Sequence, residues 1–387
     1  MKLYGAAIAL VSAAMACVTY AQAPPEFDFL KLADERVAAL DQFADRDKDG
    51  YGELAWSLSY GMMALNVLYE ATGDTAYLDR QLRVIEGLMA RRDTELAARL
   101  GEAGYVDYQR GRVLAAWGTG NYSGGKHTCW AVHTGMLMYP AADFVRLVRA
   151  GGEATARYSD SAEGFVPLIE QAIGEYDAEW RDGPQEGMGY YVFPGGSILP
   201  NNQMNGPGRA LVLLHELTGK PEYGDRARKL AAFFRSKLTH VAEGDYYLWA
   251  YSQGADAPAG RGEDVSHAAI NASFMHLAWQ YGVGFDDTDM ARLCRTLTQG
   301  LYLGNGQFAE TLGGRTAGTK YTPQLGRWAF LAVFDPRVEL HLRQFMAAHP
   351  GLMEAGGTTS ALGFAYILRA RRQLEEGAGG ARPVVGE

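Results

Sequence analysis

Apolar residues recur every three or four positions through most of this chain, and Gly-rich loops separate the recurring stretches. Few runs alternate with period two. The spacing predicts helices over 27–44, 54–72, 76–97, 128–149, 161–180, 202–219, 222–239, 265–281, 286–300, 322–333, 336–348 and 358–374. These segments are of two kinds. Those beginning near 54, 128, 202, 265, 322 and 358 are rich in Gly, Ala, Ser and Met and are rarely interrupted by charge. The others carry many Arg, Asp and Glu. A helix buried on most sides is apolar all round, whereas an outer helix is amphipathic. Six charge-poor helices alternating with six charge-rich ones predict an all-α fold, an (α/α)6 toroid. The 27–44 segment is then an outer helix that closes the ring beside the last inner one. A seventh hairpin follows only if 105–116 is helical.

An internal repeat supports the array. Leu68-Tyr69-Glu70-Ala71-Thr72-Gly73-Asp74, with Tyr77 and Asp79-Arg80, matches Leu214-His215-Glu216-Leu217-Thr218-Gly219-Lys220, with Tyr223 and Asp225-Arg226. Each copy reads as a helix stopped by a glycine, a tight turn and a second helix.

Charge and composition narrow the partners. Thirty-six Lys and Arg against 45 Asp and Glu give a net charge of −9 over 387 residues, without the basic excess of a nucleic-acid binder. Residues 1–23 read as a secretory signal: Lys2, an apolar run from Tyr4 to Ala16, and the small-x-small site Ala21-Gln22-Ala23. The run is too short to favour a membrane span. The expectation is a periplasmic or secreted protein with one toroid domain over 24–376 and a disordered tail over 377–387. Cys129 and Cys294 remain in the mature chain, on different helical segments, and read as two buried thiols rather than a bridge.

In such a ring, the loops leading into the inner helices share one face, and polar and aromatic residues gather there. The first lead-in holds Trp56 and Tyr60. The second is Asn121-Tyr122-Ser123-Gly124-Gly125-Lys126-His127-Thr128-Cys129-Trp130, with His133 one turn on. The third holds Asn201, Asn202, Gln203 and Asn205. The fourth runs from Arg261 through Glu263, Asp264 and Ser266 to His267, with Asn271 beyond; the fifth holds Arg315, Lys320 and Tyr321. One such cluster is explained by helix capping, but several at equivalent positions point to a site. Helix N-termini also favour anions, which suits a carboxylated sugar. His133 reads as structural, and His215, His240, His276, His341 and His349 as helix-body or surface residues. Tyr246, Tyr247 and Tyr251 are either a sugar-stacking wall or an outer brace. Asp45-Arg46-Asp47-Lys48-Asp49-Gly50 begins like a calcium loop, but its twelfth position is Trp56 instead of a bidentate Glu, so no metal is expected. Phosphate-loop, Gly-x-Ser-x-Gly and His-Glu-x-x-His motifs are absent, and no cofactor is expected.

With these residues in view, the chain resembles the bacterial helical-toroid polysaccharide lyases, nearest to those that cleave glucuronan and alginate. Asn201-Asn202 is similar to the asparagine motif of toroid alginate lyases, although Gln203 stands where that family has His. Arg315 and Tyr321 look like the family's Arg–Tyr pair, and the stretch from Glu263 to His267 resembles one in glucuronate-acting toroid proteins. The resemblance implies β-elimination on an anionic polysaccharide without a cofactor. Tyr321 would be acid and base, and His267 base or carboxylate partner. Asn202 would neutralise the carboxylate, Arg315 orient it, and His127 stand as a reserve base. Trp56, Tyr60, Lys126, Trp130, Asn201, Asn205, Tyr251, Glu263 and Asp264 would contact substrate. The alternatives are a glycoside hydrolase pairing Asp264 or Glu263 with Glu53 or Glu310, a uronate C5-epimerase, and a glycan-binding protein without activity.

Overall fold

The computed structural model describes residues 24–38, 40, 49–252 and 262–378, without the side chains of 353–355, 377 and 378. The expected export signal, Asp45 to Lys48 of the calcium-like turn, Arg261 and the tail beyond Ala378 lie outside the described residues.

The helices follow the expected alternation. Outer α1 (Phe29–Val37) precedes a π turn (Leu54–Leu58) and inner α2 (Ser59–Thr72). Outer α3 (Ala76–Met89) and the short α4 (Asp93–Leu100) lead to inner α5 (Ala131–Ala150) and outer α6 (Ser159–Gly174). Inner α7 (Asn201–Thr218) pairs with outer α8 (Pro221–Arg235), and inner α9 (Val265–Gln280) with outer α10 (Asp287–Arg295). An inner 3₁₀ helix (Thr322–Val333) pairs with outer α11 (Pro336–Ala348). The short α12 (Pro350–Ala355) and inner α13 (Thr358–Ala378) complete the chain. The inner helices pack in sequence, α2 on α5, α5 on α7, α7 on α9, α9 on the 3₁₀ helix, that helix on α13, and α13 back on α2. Helix α1 packs on α13, which closes the ring as the charge pattern predicts.

Contact within the ring is close enough to select residues. A Cβ on Gly135 of α5 would stand 2.2 Å from the Pro207 nitrogen of α7. The repeat is also literal. Gly73 and Gly219 both cap their helices in the left-handed conformation, with φ of 76° and 67°. Thr72 and Thr218 both donate their hydroxyls one turn back, to the carbonyls of Leu68 and Leu214 at 2.7 and 2.6 Å. Tyr77 and Tyr223 then each reach the preceding outer helix, bonding Asp34 and Glu170.

Three segments depart from the helical expectation. The 76–97 run breaks at Arg92, because the Asp93 and Thr94 amides donate to the Ala116 and Leu114 carbonyls instead of to the previous turn. The 128–149 run starts as a helix only at Ala131, since Thr128–Cys129 form a strand. The 105–116 stretch is turns and one bridge between Val106 and Val113, so six hairpins stand among the described residues and no seventh.

Among the described residues, strands are confined to four antiparallel hairpins, each in a loop leading to an inner helix. They are β1 (Gly118–Thr119) with β2 (Thr128–Cys129), β3 (Trp180–Asp182) with β4 (Gly189–Tyr191), β5 (Thr239–Val241) with β6 (Tyr246–Leu248), and β7 (Tyr302–Gly304) with β8 (Gln307–Phe308). Cys129 and Cys294 are free and buried. No helix among the described residues is long and apolar enough to cross a membrane.

The far end of the barrel is held by charge. Glu70 of α2 bonds Arg369 of α13 at 2.7 Å and Arg146 of α5 at 2.8 Å, and Arg146 also holds Asp143 at 2.7 Å. Burial opposes ionisation of Glu70, but the two arginines outweigh it and pull its pKa down to about 2. Burial pushes Asp143 up, with Arg146 opposing.

Candidate active site

The opposite face carries the N-termini of the inner helices. At the start of α9, Asp264 is the N-cap: its Oδ1 accepts the Ser266 and His267 amides at 3.0 and 3.1 Å. Its other oxygen, Oδ2, lies 2.6 Å from Nδ1 of His267. Burial opposes the Asp264 charge, but the His267 ring and these amides hold its carboxyl below the usual range. A carboxylate on Nδ1 fixes the imidazole as the tautomer with its lone pair on Nε2. The His267 side chain is 35% exposed and that of Asp264 only 14%, so the base faces outward and its orienting group inward.

The third lead-in docks on the fourth. The Asn201 amide donates to the Tyr251 carbonyl at 3.1 Å, and its Nδ2 to the Ala250 carbonyl at 2.8 Å. Gln203 Nε2 lies 3.4 Å from the Tyr251 hydroxyl, and the Tyr251 ring meets His267 edge-on at 5.3 Å. Asn202 is buried, with its Oδ1 unpartnered among the described residues. Below them runs a sealed chain: Asn205 Nδ2 donates to Asn271, and Asn271 and Trp249 Nε1 each donate to Glu263 Oε2 at 2.6 Å. Asn205 is fully buried and Glu263 only 1% exposed. Burial raises the Glu263 pKa well above the carboxylate range, with the Trp249 and Asn271 bonds opposing. These two residues were expected to contact substrate. They instead tie α7 to α9 beneath the surface.

The fifth lead-in sits beside Asp264, which bridges Thr311. Glu310 Oε1 accepts the amides of Lys320 and Tyr321. Lys320 Nζ lies 4.7 Å from the Tyr321 ring centre, and the tyrosine, with Glu310 and Asp264 beyond it, raises the lysine's pKa. Glu310 is thus engaged in shaping the turn. Arg315 is exposed, and no recorded contact joins it to Tyr321.

The first two lead-ins supply an aromatic wall. Trp56 meets His133 edge-on at 5.2 Å, Tyr122 meets the same ring at 6.0 Å, and Trp130 meets Phe193 at 6.0 Å. His133 is buried and its pKa falls to about 3, so it is a neutral brace, as the sequence reading held. Tyr122 is 69% exposed at a left-handed φ of 65°, a strained conformation for a non-glycine residue. Burial raises the Tyr251 pKa, with the Gln203 bond opposing and the Glu263 and Tyr122 charges adding to the rise. Tyr122 and Phe193 had no assigned role, and the signal for Tyr122 was its place between Gly120 and Gly124-Gly125.

Not every candidate gathers here. His127 Nε2 lies 2.6 Å from Asp93 at the start of α4, and its ring meets Tyr105; Lys126 Nζ sits 3.8 Å over Tyr108. Their recorded partners belong to the 93–108 segment, not to the His267 side. Tyr60 is buried in the barrel under Arg327, whose guanidinium lies 3.8 Å from its ring centre. Tyr246 and Tyr247 are buried, and Tyr247 bonds Asp289 of α10, so they brace; Tyr251 alone of the three lies at the cleft. Of the calcium-like turn, Asp49 accepts the Glu53 and Leu54 amides and so caps the π turn.

Fold and site together define a six-hairpin toroid whose inner-helix lead-ins carry a carboxylate-held histidine and a set of aromatic rings. The fold is shared with sugar-processing enzymes of known structure. An inactive variant of an α-1,6-mannanase from Salegentibacter sp. HEL1_6 superposes with a TM-score of 0.54 at 11% identity, covering 90% of this chain and 100% of that one. The unsaturated glucuronyl hydrolase of Bacillus sp. GL1 gives 0.52 at 14% identity, covering 90% and 96%. A sugar epimerase from a ruminal bacterium gives 0.50 at 10% identity, covering 84% and 87%. At these identities the likeness establishes the toroid fold. No family model matches the chain, and no curated protein does.

Proposed function

We propose that this chain is a carbohydrate-active enzyme that abstracts the C5 proton of a uronate and cleaves an anionic polysaccharide by β-elimination. The observation that carries the reading is the Asp264–His267 pair, with Nδ1 held at 2.6 Å and Nε2 left as a base on a half-exposed side chain. The C5 proton is weakly acidic, and removing it needs a positioned base and a stabilised carboxylate. Lys320 is an exposed cation beside Tyr321 that suits the carboxylate; Asn202, expected to neutralise it, is only 1% exposed, as deep as Glu263. In this reading Tyr321 protonates the leaving O4. The aromatic wall of Trp56, Tyr122 and Trp130 offers ring faces to sugars.

The same observation weighs against the hydrolase reading. Hydrolysis needs two carboxyl groups flanking the bond. Among the four acids considered for that role, Asp264 is committed to His267, Glu263 is sealed in the core, and Glu310 holds backbone amides. Glu53 is also engaged in an interaction of its own. A C5-epimerase shares the proton abstraction and remains the second reading, because His267 and Tyr321 stand on neighbouring lead-ins and a two-sided proton transfer uses the same groups. The test is a screen of glucuronan, alginate, hyaluronan, chondroitin, heparan and pectin. A near-ultraviolet chromophore from the C4–C5 double bond supports elimination. Reducing ends without it would establish hydrolysis, and solvent-deuterium incorporation at C5 without cleavage would establish epimerisation.

A further inference from the structure

Two guanidinium groups lie inside the barrel below the cleft without a carboxylate bound to either. Arg209 of α7 is 1% exposed; its Nη1 reaches Ser273 Oγ at 3.4 Å and its Nη2 reaches Met136 Sδ at 2.7 Å. Arg327 of the 3₁₀ helix is 9% exposed and donates to the Ser266 carbonyl and hydroxyl, to Gln324 and to Thr359. All of these acceptors are neutral. Arg209 lies over the Tyr139 ring at 4.5 Å and Arg327 over Tyr60 at 3.8 Å. An aromatic face offsets only part of the cost of burying an unpaired cation. Three buried donors remain without a hydrogen-bond partner among the described residues: Nε of Arg209, Nε of Arg327 and the Tyr60 hydroxyl. All three residues line one cavity, with Met63, Ser273 and Tyr366.

The far end of the same barrel supplies the contrast. There Arg146 and Arg369 are matched by Asp143 and Glu70. The chain therefore neutralises buried arginines with its own acids where it places such acids. Burial pulls the pKa of both Arg209 and Arg327 down; nearby tyrosines oppose this for both, and for Arg327 the Asp264 carboxylate opposes it too, at a distance and without an ion pair. The cavity is small, with free space on the order of one water molecule, so it suits a monatomic ion better than a sulfate or a sugar ring.

We propose that Arg209, Arg327 and Tyr60 form a buried anion site that takes chloride. The ion supplies the missing negative charge and accepts the three unused donors. Arg327 grips Ser266, which stands between Asp264 and His267, so the bound ion also stiffens the turn that carries the histidine. The site does not depend on the reading of the cleft above it.

The test compares full-length protein in sodium methanesulfonate, sodium chloride and sodium bromide at equal ionic strength. Chloride and bromide should raise the melting temperature saturably, by about 3 °C or more at full occupancy. Crystals grown in bromide should show an anomalous peak bounded by Arg209, Arg327 and Tyr60. Arg209→Gln should abolish the halide-dependent shift, whatever its own stability, and Tyr60→Phe should weaken halide affinity several-fold. If Arg209→Gln does not fold, the wild-type bromide crystal decides alone. Absence of the peak, a water only at that position, or equal melting in all three salts would overturn the proposal.

Discussion

Asp264→Asn separates the two duties of one carboxylate. Asp264 Oδ1 caps α9 through two amides, and Oδ2 holds His267 Nδ1. Asparagine is as good an N-cap as aspartate, so its oxygen keeps the cap. Its amide then faces the imidazole and donates to it, which puts the ring proton on Nε2 and removes the base. The expected loss in turnover is at least ~10²-fold, the scale of acid–base catalysis. The stability change is much smaller. One charge-assisted hydrogen bond becomes a neutral one, about 1–2 kcal/mol or a few degrees of melting temperature. The pH dependence adds a check. The Asp264 carboxyl lies below its ordinary value in the fold, so its stabilisation is present above the unfolded value of ~3.9 and is lost as pH falls through the folded value. The stability gap between wild type and variant should be full near pH 6 and close in strong acid. Initial rates on the substrate found by the polysaccharide screen, with calorimetry on the same samples, measure both effects. Turnover within threefold of wild type, with melting unchanged, would refute the assignment of His267 as a base oriented by Asp264.

Tyr321→Phe removes a hydroxyl whose hydrogen-bond partner is the exposed Lys320, so it should change melting little and lower turnover at least ~10²-fold; equal turnover would exclude Tyr321 as the proton donor. Glu70→Gln breaks the double ion pair at the far end of the barrel and should destabilise by roughly 3–5 kcal/mol, read by denaturant unfolding. Because the Glu70 pKa falls to about 2, the stability it gives is present above its ordinary 4.5 and is lost only as pH drops through about 2. The wild-type advantage should accordingly persist at pH 4 and shrink toward pH 2.

The fold was legible because a toroid repeats one physical demand. Each inner helix must lie between two neighbours and an outer helix, so it sheds charge, and that loss shows in composition alone. The Thr72-Gly73 and Thr218-Gly219 turns were legible for a local reason, since a left-handed cap needs glycine and the threonine closes on its own helix. The break at Arg92 was not legible. It depends on Asp93 and Thr94 finding carbonyls at Ala116 and Leu114, some twenty residues away. The far-end network of Glu70, Arg146 and Arg369 was equally hidden, because these charges sit at the ends of helices that meet only when the ring closes.

The site was half legible for a related reason. Sequence shows which residues begin an inner helix, but not how deep each one sits. Asp264 and His267 are three apart at a helix start, a spacing that local geometry converts directly into contact. Glu263 and Asn205 have the same polar signature and the same position. Yet the first is bonded to Trp249 and Asn271 and the second to Asn271, both under the surface. One residue of shift along the chain thus turns a cleft carboxylate into a buried acid whose pKa burial pushes up. His127 was drawn away by Asp93, an acid in the last turns of a segment read as one helix over 76–97. Tyr122 stands exposed against His133 in a loop where Gly124 and Gly125 also take left-handed backbone, a placement its residue type alone does not announce. Catalytic types are therefore readable where a short spacing fixes the partner. Depth and facing, which separate a wall from a brace, are set by the packing of helices distant in sequence.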